Sequence, residues 1–234
     1  MDQGLRGDRI MIKLSELAPA LAARIAEDAA KAQPEPARPA APDERSMRMR
    51  EASLRVAVEQ ALERMPTAYQ AAELDADWLV RLVGQANIET ARTALSAPRV
   101  AFTGAPGSGK STLAAAMYRA ALRAERHQGR VLRSRWVSAH ALAKARAEHG
   151  LGAGEAPLVE AVVSAPLVVI DELGGEDSRY ASAVAEVIYE RHAESRATWI
   201  TLGVGPKEVA TRYGGGIARR VFEGATVFKL ARKP

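Results

Sequence analysis

"RVAFTGAPGSGKST", Arg99–Thr112, decides how the rest of the chain reads. "RVAFT", Arg99–Thr103, has the apolar run of a short buried strand. The next eight residues, Gly104–Ser111, fill every required position of G-x-x-x-x-G-K-[ST]. Each required residue has a physical reason. Gly104, Gly107 and Gly109 let the backbone turn tightly, so its N–H groups point inward at phosphate oxygens. Ala105, Pro106 and Ser108 complete the loop, and the helix that Thr112 continues adds its positive end. Lys110 can reach the β and γ phosphates, and Ser111 can place a hydroxyl on Mg2+. A strand before the loop and an Ala-rich helix after it supply the context such a motif needs. A loop over Gly104–Thr112 that holds ATP with Mg2+ is therefore expected.

Outward from this loop the chain alternates. Helix is expected at Gly109–Arg126, strand at Arg130–Val137, and helices at Ser138–His149 and Ala156–Ser164. Strand Leu167–Asp171, helix Ser178–Arg196 and strand Thr198–Leu202 follow. Pro206–Glu223 reads as one or two helices split by glycines, and Ala225–Leu230 as a last strand. Continuous apolar strands alternating with helices predict an α/β fold, a parallel five-stranded sheet covered on both faces. The chain before Arg99 is different. Ile10–Lys31 has leucines and isoleucine at helical spacing, and Ala32–Asp43 is a Pro/Ala-rich linker. Helices are expected again over Glu44–Met65 and Asp77–Ala97, the second with Trp78, Leu82 and Ile88 on its core face. The expected organisation is an N-terminal helix (1–31), a linker (32–43), a helical region (44–97) and a phosphate-loop domain (98–234).

"LVVIDEL", Leu167–Leu173, supplies the second half of the site. An apolar strand ending in Asp171 sets that carboxylate at the edge where parallel sheets bind ligands. Asp171 is expected to hold Mg2+. Glu172 beside it is expected to polarise the attacking water as general base. Adjacent acids argue for hydrolysis rather than binding alone, and for a sheet with an additional strand. Thr201 ends the strand "TWITL", where it can touch the γ-phosphate or its water. In "YGGGIARRVFEG", Tyr213–Gly224, Arg219 and Arg220 can neutralise charge on a neighbouring subunit's phosphates, although two surface arginines would look the same.

Composition sets limits. The 234 residues carry a net charge of +5 and no cysteine. That excludes disulfides and cysteine-bound zinc and suits a cytoplasmic protein. No apolar run is long enough to cross a bilayer, so no membrane partner is expected. Arg123–His149 is rich in arginine and contains Trp136, a composition suited to single-stranded DNA through phosphate contacts and base stacking.

The order of "FTGAPGSGKSTLA", "LVVIDELG", "YERHAESRATWITLG" and "RYGGGIARRVFEGATVFKL" resembles the AAA+ helicase loaders and transposition helper ATPases of the DnaC/IstB type. The resemblance covers roughly Pro66–Leu230. It implies ATP and Mg2+ at Lys110, Ser111, Asp171 and Glu172, ATP at a self-association interface, and Arg220 acting across it. It also implies Arg191 near that interface, and a replicative helicase or a transposase as protein partner. Two positions depart from the family pattern. Gly203 stands where an asparagine is usual, and Arg219 where an acidic residue usually precedes the finger. The first puts fast hydrolysis in doubt, the second the choice between Arg219 and Arg220. Helicase loading is the leading expectation. A transposase helper, a nucleotide-gated adaptor and a small-molecule kinase stay open as alternatives.

Overall fold

The computed structural model describes residues 23, 24, 27, 43–127, 133–150 and 152–231. The expected helix Ile10–Lys31 and the linker after it lie outside the described residues, save for Ala23, Arg24, Glu27 and Asp43. From Glu44 onward the described residues belong to one compact unit.

Strands that are apolar at successive positions need cover on both faces. Five such strands form one sheet: β1 Arg99–Gly104, β2 Arg135–Ser138, β3 Leu167–Leu173, β4 Ala197–Leu202 and β5 Thr226–Leu230. All pairings are parallel and the order is β2-β3-β4-β1-β5. β4 lies between β1 and β3, which is the additional strand expected from the paired acids. Side chains alternate between the two faces, as the strand period requires. Phe102, Val169, Trp199 and Phe228 enter one core, and Ala101, Val168, Ile170 and Ile200 the other.

The helices divide by face. The first core takes α1 (Glu44–Glu63), α2 (Asp77–Val83), α3 (Gln85–Thr93) and α4 (Lys110–His127). The second takes α5 (Ala139–Glu148), α6 (Pro157–Ser164), α7 (Ala181–Ala193), α8 (Pro206–Tyr213) and α9 (Gly215–Phe222). The phosphate loop leaves the end of β1 and enters α4 directly, so its register is held by two elements of the core.

Three details differ from the sequence reading. Asp77–Ala97 is two helices, broken at Gly84 with φ +91°. Its buried residues are Leu79, Val83 and Ile88, whereas Trp78 is 43% exposed. One step along a helix turns a side chain by about 100°, so Leu79 and Trp78 cannot both face the core. The strand expected at Arg130–Val137 covers Arg135–Ser138 among the described residues. Among the described residues, no helix is long and apolar enough to cross a membrane.

Candidate nucleotide site

A cavity of about 580 Å³ opens where the strands end. Lys110, Ser111 and Thr112 line it from α4, Glu172 and Gly174 from the end of β3, and Gly203 from the end of β4. The loop has the shape its glycines suggest. At Gly104 φ is +147°, and a Cβ there would lie 2.0 Å from the Leu230 carbonyl oxygen of β5. At Gly109 φ is +89°, and a Cβ would press on Leu82 and Val83. No side chain fits at either position. Ser108 is buried with its Oγ unpartnered, a hydroxyl held ready inside the loop. Lys110 Nζ donates to the Ala105 carbonyl at 2.9 Å. Burial lowers its pKa, and the nearby Asp171 and Glu172 oppose that shift.

Ser111 Oγ donates to Asp171 Oδ1 at 2.7 Å, and Thr201 Oγ1 donates to the same oxygen at 2.5 Å. The Glu172 backbone N–H donates in turn to Thr201 Oγ1 at 2.9 Å. One hydroxyl on β4 therefore orients both acids of β3. Thr201 is fully buried, and its hydroxyl is engaged by Asp171 and by the Glu172 backbone. Glu172 is exposed at the cavity with φ +59°, in the left-handed region, and the β3–β4 register slips between Ile170 and Leu173. A non-glycine residue there is strained, by about 1–2 kcal/mol. The strain re-aims the side chain at the end of the strand.

The late arginines lie elsewhere. None of Arg191, Arg219 and Arg220 lines the nucleotide cavity. Arg220 lines a separate cavity of about 300 Å³ with Pro98, Arg99, His192 and Thr198. Its guanidinium lies 4.4 Å from the Tyr189 ring centroid, and Nη1 donates to the Gly216 carbonyl at 3.0 Å. Arg219 is exposed and pairs with Glu223 at 3.6 Å. Arg191 is fully buried. Its Nε donates to Thr198 Oγ1 at 3.0 Å, and Nη1 to the carbonyls of Val162, Val163 and Ala165 at 2.6, 3.1 and 2.7 Å. Nη2 donates to the Ala197 carbonyl at 2.5 Å. Burial pushes its pKa down to about 10, still charged at neutral pH. The cation closes the negative end of α6 and ties it to the start of β4. Within this chain Arg191 is enclosed by the interior and does not line the nucleotide cavity.

A family model described as IstB-like ATP binding protein matches residues 38–206. The chain belongs to this family. Solved structures carry the same fold. A DnaC helicase loader has a TM-score of 0.53 at 21% identity, over 70% of this chain and 99% of that one. DnaI has a TM-score of 0.52 at 17% identity, over 79% of this chain and 98% of its own. A replication initiator DnaA bound to AMPPCP and single-stranded DNA has a TM-score of 0.54 at 16% identity. That match covers 71% of this chain and 50% of the DnaA chain. No curated protein matches.

Within this IstB-like ATP-binding fold, several residues without a motif complete the surroundings. Tyr69 and Leu82, from the helical region before β1, line the nucleotide cavity. Glu176 is buried; Tyr213 Oη and Arg212 Nε both donate to its carboxylate, the latter at 3.1 Å, and the Gly174 N–H at 3.1 Å. Burial and this carboxylate push the Tyr213 phenol up. The clasp joins the loop after Glu172 to the end of α8. No spacing could have shown it, because its members lie far apart in sequence. At Gly203 a Cβ would meet nothing within 4 Å, so the glycine is not sterically required.

The basic segment fares differently. Trp136 is buried against Tyr69 and Tyr118, with ring centroids 6.1 and 5.9 Å away. It offers no face to a base. Arg123 pairs with Glu73, Lys144 with Glu148, and Arg146 with Glu155 and Glu186. Of the segment, Arg133 and Arg135 carry no carboxylate partner among the described residues. Arg130 and the side chain of Arg126 lie outside what is described.

Proposed function

We propose that the chain hydrolyses ATP between assembled copies and uses the cycle to load a replicative helicase onto single-stranded DNA. The observation that carries the ATP-hydrolysing part of the reading is the hydrogen-bonded relay Ser111–Asp171–Thr201–Glu172 beside the cavity of Lys110, with Arg220 outside that cavity. The loop glycines and Lys110 hold the phosphates. Ser111 and Asp171 are the pair that would hold Mg2+, which neutralises charge on the transferring phosphoryl group. One carboxylate and one hydroxyl suit this ion, which keeps most of its shell as water and phosphate oxygen. Glu172 takes a proton from the water that attacks the γ-phosphorus, while the bond to the bridging oxygen breaks and ADP leaves. Tyr69 and Leu82 line the same cavity. Arg220 serves a neighbouring copy's γ-phosphate, so one copy alone is an incomplete enzyme.

Family membership also supports a second reading, a helper ATPase that acts with a transposase through the same site. Both readings share one test. ATP turnover is measured with and without single-stranded DNA over a range of protein concentration. The expected result is turnover that rises with DNA and more steeply than linearly with protein. Glu172→Gln is expected to bind ATP but turn it over at least about 100-fold more slowly. Linear, DNA-independent turnover overturns the shared site. ATP binding with negligible turnover under every condition leaves a nucleotide-gated adaptor instead.

A further inference from the structure

A second site lies at the far end of β2, where the edge strand meets α1. Ser134 is fully buried and accepts a hydrogen bond from Tyr118 Oη at 2.9 Å. Arg133 and Arg135 stand either side of Ser134 in sequence and line one cavity with it. Across from them, Ala57, Gln60, Ala61 and Arg64 recur at helical spacing along one face of α1 and the residue after it. Together they enclose a cavity of about 260 Å³. The two alanines leave it room, and its polar groups are supplied by three arginines, Gln60 and Ser134.

The charge there is unbalanced. None of Arg64, Arg133 and Arg135 has a carboxylate within ion-pair distance among the described residues. Nearby arginines are treated otherwise: Arg119 and Arg123 share Glu73 at 3.3 and 2.7 Å. At Arg135, burial and the neighbouring Arg64 and Arg133 all disfavour its charged form. Like charges gathered without an anion cost stability, and a bound anion removes that cost. The cavity has alanine methyls but no aromatic face, so it suits a phosphate rather than a base.

We propose that Arg64, Arg133 and Arg135 form a binding site for the phosphodiester backbone of a nucleic acid, separate from the nucleotide cavity. Its choice of ligand rests on the DNA-directed reading above; its geometry does not. Arg64 and Arg133 are exposed, so a continuous strand can run across the site and be held without base readout. β2 carries the site at its start and pairs Ser138 with Asp171 at its end, roughly 10 Å along the strand. DNA held here would lie at the opposite end of β2 from the acid that serves ATP.

The test is fluorescence anisotropy of the full chain with a labelled oligothymidylate and a labelled mixed-sequence single strand, over a salt series. Arg64→Gln, Arg133→Gln and Arg135→Gln are each expected to weaken binding about fivefold at about 0.1 M salt and to flatten the salt slope by about 0.7. The effect is expected to be equal for both strands, with ATP affinity unchanged. Arg135→Lys is expected to keep most of the slope. If the wild-type chain binds and the three variants match it, the site is overturned while the DNA-directed reading stands. If the wild-type chain binds no nucleic acid, both fall. Inorganic pyrophosphate that displaces the strand at equal concentration of phosphate would replace the nucleic acid with a small anion.

Discussion

The two ends of β4 bear on opposite problems. At its C-terminal end Thr201 joins Asp171 to the backbone of Glu172 beside the phosphate loop. At its N-terminal end Ala197 and Thr198 receive Arg191, which also closes α6. Both ends are buried polar knots. The first turns its charges toward a cavity and the second turns its charge inward. A polar cluster that faces an opening can change partners during a reaction. One whose every donor ends on a backbone carbonyl or a buried hydroxyl can only hold the fold. The arginines make the same distinction within one residue type. Arg191 is consumed by the interior, whereas Arg220 stacks on a half-exposed tyrosine and lines a cavity.

That comparison breaks first at Arg191. Arg191→Met removes every bond of this guanidinium, to the carbonyls of Val162, Ala165 and Ala197 and to the Thr198 hydroxyl, while Val163 keeps Arg196. The expected cost is about 3–5 kcal/mol, measured by urea denaturation, and it should not depend on ATP. A variant of normal stability that fails only to assemble would move Arg191 to an interface. Arg220→Ala comes next. It is expected to lower turnover of the assembled protein about 1000-fold while ATP affinity of the dilute chain holds. Arg219→Ala, which loses only an exposed pair with Glu223, is expected to change turnover less than twofold. The reverse pattern would make Arg219 the finger. Thr201→Val keeps shape and removes the hydroxyl between the two acids. A loss of about 1–3 kcal/mol in stability is expected, with slower turnover and retained ATP binding. Unchanged turnover would show that Asp171 and Glu172 are oriented by something else. The smallest effect belongs to Gly203→Asn. Open space around Gly203 admits the side chain, and a severalfold gain in turnover is expected from a donor at the cavity. A loss instead would mean that this position must stay bare.

Much of the nucleotide site could be read before folding because its chemistry is tied to consecutive residues. Gly104 and Gly109 are needed where the backbone meets β5 and α2, and Lys110 and Ser111 follow them on the same turn. Asp171 and Glu172 are neighbours at the end of an apolar strand. Tyr69, Leu82 and the Glu176 clasp had no such local mark. They come to the site from separate elements, and only packing brings them there. The basic segment shows the opposite failure. Trp136 and its arginines looked like one nucleic-acid surface, but Trp136 is buried among Tyr69 and Tyr118 whereas Arg135, at the start of the edge strand, is half-buried beside an open cavity.

Local order along the chain was enough for the parallel α/β sheet with β4 inserted and for the phosphate loop, the acid pair and the ATP-binding family. Strand and helix periods and backbone-built anion sites depend on near neighbours, so they survive in the linear text. The duty of each arginine did not. A guanidinium serves equally as buried cap, surface pair, finger or phosphate grip. What separates them is which carbonyl, carboxylate, ring or open cavity lies within reach, and that depends on residues brought together from across the chain.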